Sequence, residues 1–371
     1  MNEKFDVVVA GAGIVGLAHA LAAVRRGLKV AVVERHRHCV GASVRNFGFV
    51  TVSGQREGAA WDRARRTRDT WAEVAPQAGI AVEHRGAWIT ARRESARAVL
   101  ASFAAGPMGA GCELLEGAEA IRRAPALHPG TLAALHSPHE LRVESREAIP
   151  RLAQWLEQAH GVRFFWGEAV LGVEAPRVHT ALRVLHGERI VLAPGTELGG
   201  IAGAALAPYA LGLTRLQMLR LRPPPGFRLP GAVMGDLSMV RYGGFAAQPA
   251  AAALREQLAA ECGECLAHGV HVIAVQSSDG TLVVGDSHHP AEAADPFGSE
   301  AVDALILRHL GELLAPRGFE VVERWTGVYP VGGPDDFLAV PAGPQVRVVV
   351  VTSGTGASTG FAIAEDVFAA W

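Results

Sequence analysis

Gly11-Ala12-Gly13-Ile14-Val15-Gly16 stands between an apolar run, Phe5–Ala10, and a helical pattern from Leu17 to Arg26; a second apolar run, Leu28–Val33, then ends at Glu34. The first run is continuous rather than alternating, as a strand buried on both faces of a parallel sheet requires. The three glycines have separate tasks. Gly11 makes the tight turn, Gly13 lets the backbone approach a pyrophosphate, and Gly16 lets the helix lie close against the strand. The helix then meets the phosphates with unpaired N–H groups and the positive end of its dipole. Glu34, 23 positions beyond Gly11, can accept hydrogen bonds from both hydroxyls of a ribose, and its charge repels a 2′-phosphate. The segment therefore predicts a βαβ dinucleotide-binding unit that does not take NADP.

A chain of 371 residues leaves room for a second domain, at roughly 150 residues each. The formal net charge of −2 removes any whole-chain attraction to nucleic acid or anionic membrane. The long apolar stretch Gly199–Leu213 holds Pro208 and is too short to span a bilayer. Four cysteines are too few for a disulfide scaffold and fit a reducing compartment. Cys262-Gly-Glu-Cys265 has C-x-x-C spacing, but no second cysteine pair completes it, so no metal is assigned. No apolar leader with a cleavage site follows Met1-Asn2-Glu3-Lys4, and the cytoplasm is the expected compartment.

Past Glu34 the helix–strand alternation stops. Helices are predicted at Ala59–Ala75, Glu147–His160, Ser299–Ala315 and Thr359–Ala370. Strands are predicted at Val82–Thr90, Val162–Trp166, Arg189–Ala193, Arg215–Arg222, His271–Gln276, Thr281–Gly285 and Val346–Val351. Strand-plus-glycine elements recur far downstream, at Leu192-Ala193-Pro194-Gly195 and before Ser353-Gly354-Thr355-Gly356. A nicotinamide enzyme usually completes its sheet contiguously, so this cofactor domain is expected to be discontinuous.

With the fingerprint, the loop Gly41-Ala42-Ser43-Val44-Arg45-Asn46-Phe47-Gly48 and a C-terminal glycine loop running into a helix, the whole chain resembles the FAD-dependent D-amino-acid oxidase, glycine oxidase and sarcosine oxidase superfamily. That resemblance implies an α/β (overall α+β) architecture. Residues 1–82, 145–212 and 336–371 would form a Rossmann-type FAD-binding domain, and 83–144 and 213–335 a substrate domain with a mixed or antiparallel sheet. It also implies that Ser43, Arg45 and Asn46 run along the pyrophosphate and flavin, and that Val170 presents backbone to the adenine. Gly354, Thr355, Gly356, Ser358 and Thr359 would approach the flavin and ribityl chain. Val15, Arg35 and Gly195 join Gly11, Gly13, Gly16 and Glu34 among the expected cofactor contacts. No cysteine stands in Thr326–Pro330, where some relatives attach flavin covalently, so noncovalent FAD is expected.

Between Leu213 and Arg241 five arginines, Arg215, Arg220, Arg222, Arg228 and Arg241, meet one acid, Asp236. Strand arginines are commonly solvated edge charges, but the cluster also offers planar forks that suit a carboxylate or phosphonate. Met239-Val240-Arg241-Tyr242-Gly243-Gly244-Phe245 resembles a strand whose aromatic hydroxyl contacts substrate in sarcosine oxidases. Trp325-Thr326-Gly327-Val328-Tyr329-Pro330 resembles a glycine-oxidase segment, with Tyr329 in place of a carboxylate-binding arginine. Ser358 stands where sarcosine oxidases have a substrate-binding lysine. Leu216-Gln217-Met218-Leu219, Gly285-Asp286-Ser287-His288 and Arg324–Pro330 together are similar to a bacterial subgroup linked to aminophosphonate breakdown.

The resemblance thus implies oxidation of a small anionic amine, primary or N-methylated, by hydride transfer to flavin. Arg241, Tyr242, Tyr329 and His288 are the expected substrate contacts, with His288 alternatively on an exposed loop before Pro290 and an acidic stretch. An FAD-dependent 2-hydroxy-acid dehydrogenase and a non-catalytic FAD-binding protein are the other readings. The electron acceptor would be oxygen or a quinone. Val283 is expected where sarcosine oxidases carry an oxygen-activating lysine, and the chain's only lysines, Lys4 and Lys29, begin the two N-terminal strands.

Overall fold

A computed structural model of the chain describes residues 3–291, 295–315 and 318–371. Met1, Asn2 and part of the acidic stretch after Pro290 lie outside the described residues. Among those described, two sheets form, one of eight strands and one of ten.

The first sheet is drawn from widely separated parts of the chain. Its order is Phe337–Pro341, Val346–Val351, Val184–Leu192, Glu3–Ala10, Val30–Glu34 and Arg163–Trp166. All neighbours pair in parallel except the edge strand Phe337–Pro341, which runs antiparallel. The central strands are apolar on both faces because both faces are covered. Helices Ile14–Val24, Ser145–His160 and Gly356–Ala369 pack on one side, and the helix Gly200–Leu206 lies on the other. Val184–Leu192 is longer than the predicted Arg189–Ala193 because its first residues pair with a hairpin, Val170–Glu174 and Arg177–Thr180. The last helix begins at Gly356 rather than Thr359, since the hydroxyl of Thr359 donates to the Thr355 carbonyl within the first turn.

The second sheet is mostly antiparallel. Its longest pairing joins Gly212–Arg222 to Glu320–Val331, setting Thr214 opposite Tyr329 and Leu216 opposite Gly327. Alternation along Gly212–Arg222 turns Leu216 toward the space between the sheets, while Gln217 points to the other side and donates to Asp303 of the helix Glu300–Leu313.

The segment Met239–Phe245 is not a strand. The helices Asp236–Met239 and Gly243–Ala246 flank a turn, and the backbone pairs locally, Tyr242 N–H to Ser238 and Ala246 N–H to Tyr242. Close packing explains the departure: a Cβ on Gly244 would lie 2.3 Å from the Ser53 carbonyl oxygen.

One buried ionic cluster fastens the two halves together. Arg142, fully buried, donates to the carbonyls of Phe47 and Gln276, to the hydroxyl of Ser277 and to Glu144 at the head of the helix Ser145–His160. Glu144 also meets Arg220 of the long strand. Burial works against ionisation of Glu144, but Arg142, Ser277 and Arg220 outweigh it and hold the carboxyl below its ordinary range.

Candidate active site

The glycine turn is built as its spacing demands. Gly11 has φ +108°, and a Cβ on it would sit 2.4 Å from the Ala193 carbonyl oxygen. A Cβ on Gly16 would lie 1.9 Å from the Gly11 carbonyl oxygen. Gly13 caps the helix in an extended conformation, with the position of its absent Cβ 3.0 Å from the Ser43 hydroxyl. That hydroxyl accepts the N–H of Ile14 at 2.9 Å, so Ser43 closes the loop 41–48 onto the helix N-terminus. The Glu34 carboxylate accepts from the N–H groups of Ala12 and His36, at 2.9 and 3.0 Å, which fixes its direction at the strand end.

Between this turn, the loop 41–48, the last strand and the substrate sheet runs a cleft of about 1290 Å³ counted to its open mouth. Gly13, Val15, Gly16, Ser43, Arg45 and Asn46 line one end of it. Gly195, Gly354, Thr355, Gly356 and Ser358 line its flank, and Arg241, Tyr242, His288 and Tyr329 its far wall. Gly354, at φ +71°, approaches so closely that a Cβ would be 2.8 Å from the Tyr329 ring. A long trough with glycine backbone at one end and polar side chains at the other fits a dinucleotide whose reactive ring faces the substrate domain. No cysteine lines it among the described residues.

Five expected cofactor residues do not line the cleft. Gly11 lies behind the turn against Ala193, and Glu34 sits at the sheet end on its own backbone partners. Arg35 is exposed and paired with Glu197. Val170 starts the hairpin strand opposite Thr180. Thr359 is buried, with its hydroxyl spent inside the helix. Asn46 reaches the cleft but also braces its loop, donating to the Ala42 carbonyl and accepting from Gly48 N–H and the Ser145 hydroxyl. Val283 is core and does not line the cleft. Lys4 is exposed at the far end of its strand, and Lys29 lies over the Phe5 ring.

The arginine cluster separates in three dimensions. Arg215 meets Asp295, Arg220 meets Glu144, Asp279 and Glu323, Arg222 meets Glu320, and Arg228 turns back to the Phe227 carbonyl. Arg241 alone of the five lines the cleft, where it donates to the Tyr329 hydroxyl at 3.2 Å.

Two further residues, His271 and Asp286, complete the wall. The backbones of His271 and Asp286 bond reciprocally, and His271 Nε2 lies 3.0 Å from Asp286 Oδ1. His288 Nδ1 is 3.7 Å from the same oxygen, and the rings of His271 and His288 stack at 5.1 Å. Tyr242 meets His271 edge to face, as His288 meets Tyr329. Burial pushes His288 down to about 3 and lowers His271 too, so both imidazoles are neutral at pH 7. Burial also opposes ionisation of Asp286, but the neighbouring imidazoles and the Arg241 guanidinium outweigh it and keep its carboxyl below the usual range. His271 Nδ1 is buried without a hydrogen-bond partner, whereas Asp286 Oδ1 meets His271 Nε2. The signal for Asp286 is present in the chain: two residues from His288 in an extended segment, it shares that residue's face. His271 needs the pairing register, which no local pattern reveals.

The model of the FAD dependent oxidoreductase family, DAO, matches residues 6–370. Among solved structures, glycine oxidase from Bacillus cereus ATCC 14579 superposes with a TM-score of 0.78 at 16% identity, over 99% of this chain and 96% of that one. L-alpha-Glycerophosphate oxidase from Mycoplasma pneumoniae, with FAD bound, gives 0.75 at 17% identity over 100% and 95%. L-proline dehydrogenase from P. horikoshii gives 0.74 at 19% over 99% and 93%. These likenesses establish the fold. No curated protein matches the sequence. No described helix is long and apolar enough to cross a membrane.

Proposed function

Because the chain belongs to the DAO family of FAD-dependent oxidoreductases, we propose that it oxidises a small amine that also carries an oxyanion, of the 2-aminoethylphosphonate type, primary or N-methylated. The observation that carries this reading is a pair of opposite charges on one wall of the cleft: the Arg241 guanidinium and the Asp286 carboxylate. A zwitterionic substrate satisfies both.

The glycine turn and the loop 41–48 would hold FAD, which when bound would supply the two-electron acceptor. Arg241 binds the oxyanion and the Tyr329 hydroxyl orients it, so that the distance from anion to reacting carbon is fixed. Asp286 attracts the ammonium. The ammonium loses its proton to solvent water, and neutral His288 accepts a hydrogen bond from the free amine, whose neighbouring carbon can release hydride. The resulting imine is hydrolysed by water to an aldehyde and an amine.

The same wall supports a second reading, a 2-hydroxy-acid dehydrogenase, in which neutral His288 beside Asp286 would take a hydroxyl proton. Anaerobic mixing separates the two. Bleaching of the bound flavin by 2-aminoethylphosphonate or its N-methyl derivative, and not by 2-hydroxy acids, is expected. Bleaching by hydroxy acids alone would replace the amine reading with the second one.

A further inference from the structure

Away from the cleft, the sulfurs of Cys262 and Cys265 and a ring nitrogen of His309 lie within 4.8 Å of one another. All three side chains are buried, and none lines the cleft. Positions i and i+3 of a helix share a face. Here the helix Ala251–Ala267 also breaks at Cys262, at φ −147° and ψ 48°, where the first sulfur joins the cluster. The third member comes from the neighbouring helix Glu300–Leu313. A C-x-x-C that lacks a second cysteine pair along the chain therefore finds its partner across a helix interface.

The histidine is oriented for ligation. Its Nε2 faces Cys265 Sγ at 2.9 Å, and its Nδ1 faces Glu312 Oε1 at 3.3 Å. A carboxylate at Nδ1 takes the ring proton to that side and leaves the Nε2 lone pair directed at the sulfurs, as in the carboxylate–histidine–zinc arrangement. Arg308 Nη2, 3.5 Å from Cys265 Sγ, partly offsets the burial that raises this thiol. Two thiolates balance a divalent cation, which removes the cost of burying unpaired charge. Two sulfurs and an imidazole form a soft set that selects zinc over magnesium or calcium. Ligand bonds of about 2.0–2.3 Å bring three such atoms around one ion with small side-chain rotations.

We propose that Cys262, Cys265 and His309 bind one zinc-type divalent cation, with water in the fourth position, and that the ion staples the helix Ala251–Ala267 to Glu300–Leu313. Binding displaces the two thiol protons to solvent and involves no redox change.

The test uses the FAD-loaded protein, purified under reductant without chelator and supplied with one equivalent of zinc. Elemental analysis should find about one zinc per chain, and Cys265→Ser and His309→Gln should each lose it while keeping the flavin spectrum. Cobalt in place of zinc should add d–d bands to the red of the flavin absorption, absent from both variants. Because the cobalt spectrum is read on the unaltered chain, it decides the matter even if a variant does not fold. Substoichiometric zinc after reconstitution, zinc retained equally by both variants, or a Cys262–Cys265 disulfide whose reduced form takes no metal would each overturn the proposal.

Discussion

Arg241 donates to the hydroxyl of Tyr329, 88 residues further along the chain, at 3.2 Å. Burial raises the Tyr329 phenol above its ordinary range, and Arg241 only partly offsets this. The phenol therefore keeps its proton, accepting from the guanidinium while retaining an O–H to donate to a bound oxyanion.

Arg241→Ala should lower kcat/KM for an anionic amine by two to three decades, about 3–4 kcal/mol for a charge-assisted pair. Neutral alkylamines should be nearly unaffected. Steady-state kinetics on a phosphonate and its uncharged analogue checks this, and equal losses for both would remove the anion anchor.

Asp286→Asn should weaken turnover of the zwitterionic amine by ten- to a hundredfold, about 1.5–3 kcal/mol for a hydrogen bond to a charged group. The loss should appear in kcat/KM at pH values below the titration of the substrate's ammonium and fade above it. An unchanged value would place the ammonium elsewhere.

Gly13→Val should yield folded but colourless protein. The position of its Cβ is already 3.0 Å from the Ser43 hydroxyl, and the rest of the valine would occupy the approach to the pyrophosphate. Circular dichroism should be retained while acid-released flavin falls to background.

Reduced enzyme should be reoxidised faster by a quinone or dye than by air-saturated buffer. Neither lysine lines the cleft, and the neutral histidines offer no fixed positive charge to stabilise developing superoxide. Stopped-flow reoxidation measures both rates. A rate in air equal to that with dye would assign oxygen activation to another group, with Arg45 and Arg241 in the cleft the first to test.

Burial lowers His19 to about 4 from its ordinary 6.5. Between those values the unfolded chain binds more protons than the folded one, so stability falls as pH drops through that window. His19→Leu also removes an Nε2 without a partner. It should reduce the loss of unfolding free energy between pH 7 and pH 5 by on the order of 1–2 kcal/mol, as denaturant titration at the two pH values would reveal.

The βαβ unit is readable from sequence because all its parts are contiguous: strand, glycine turn, helix and Glu34 follow without interruption. The substrate wall is not. Five arginines look alike along the chain, and only the acids that folding brings to Arg215, Arg220 and Arg222 set Arg241 apart. The Met239–Phe245 segment reads as a strand from its apolar start, yet Gly244 packs against the Ser53 and Gln55 carbonyls and the chain coils instead. His271 joins the wall through strand register, a property of two segments at once.

Arg142 has a mechanical meaning. Its guanidinium grips the carbonyl of Phe47, within the loop 41–48, and that of Gln276 in the second sheet, and its partner Glu144 opens the helix Ser145–His160. Prising the halves apart would strand a buried cation and anion, at a cost of several kcal/mol. The cluster therefore resists opening along this line. Arg241 lines the cleft and is exposed, so the guanidinium proposed to hold a substrate's charge already stands open to solvent.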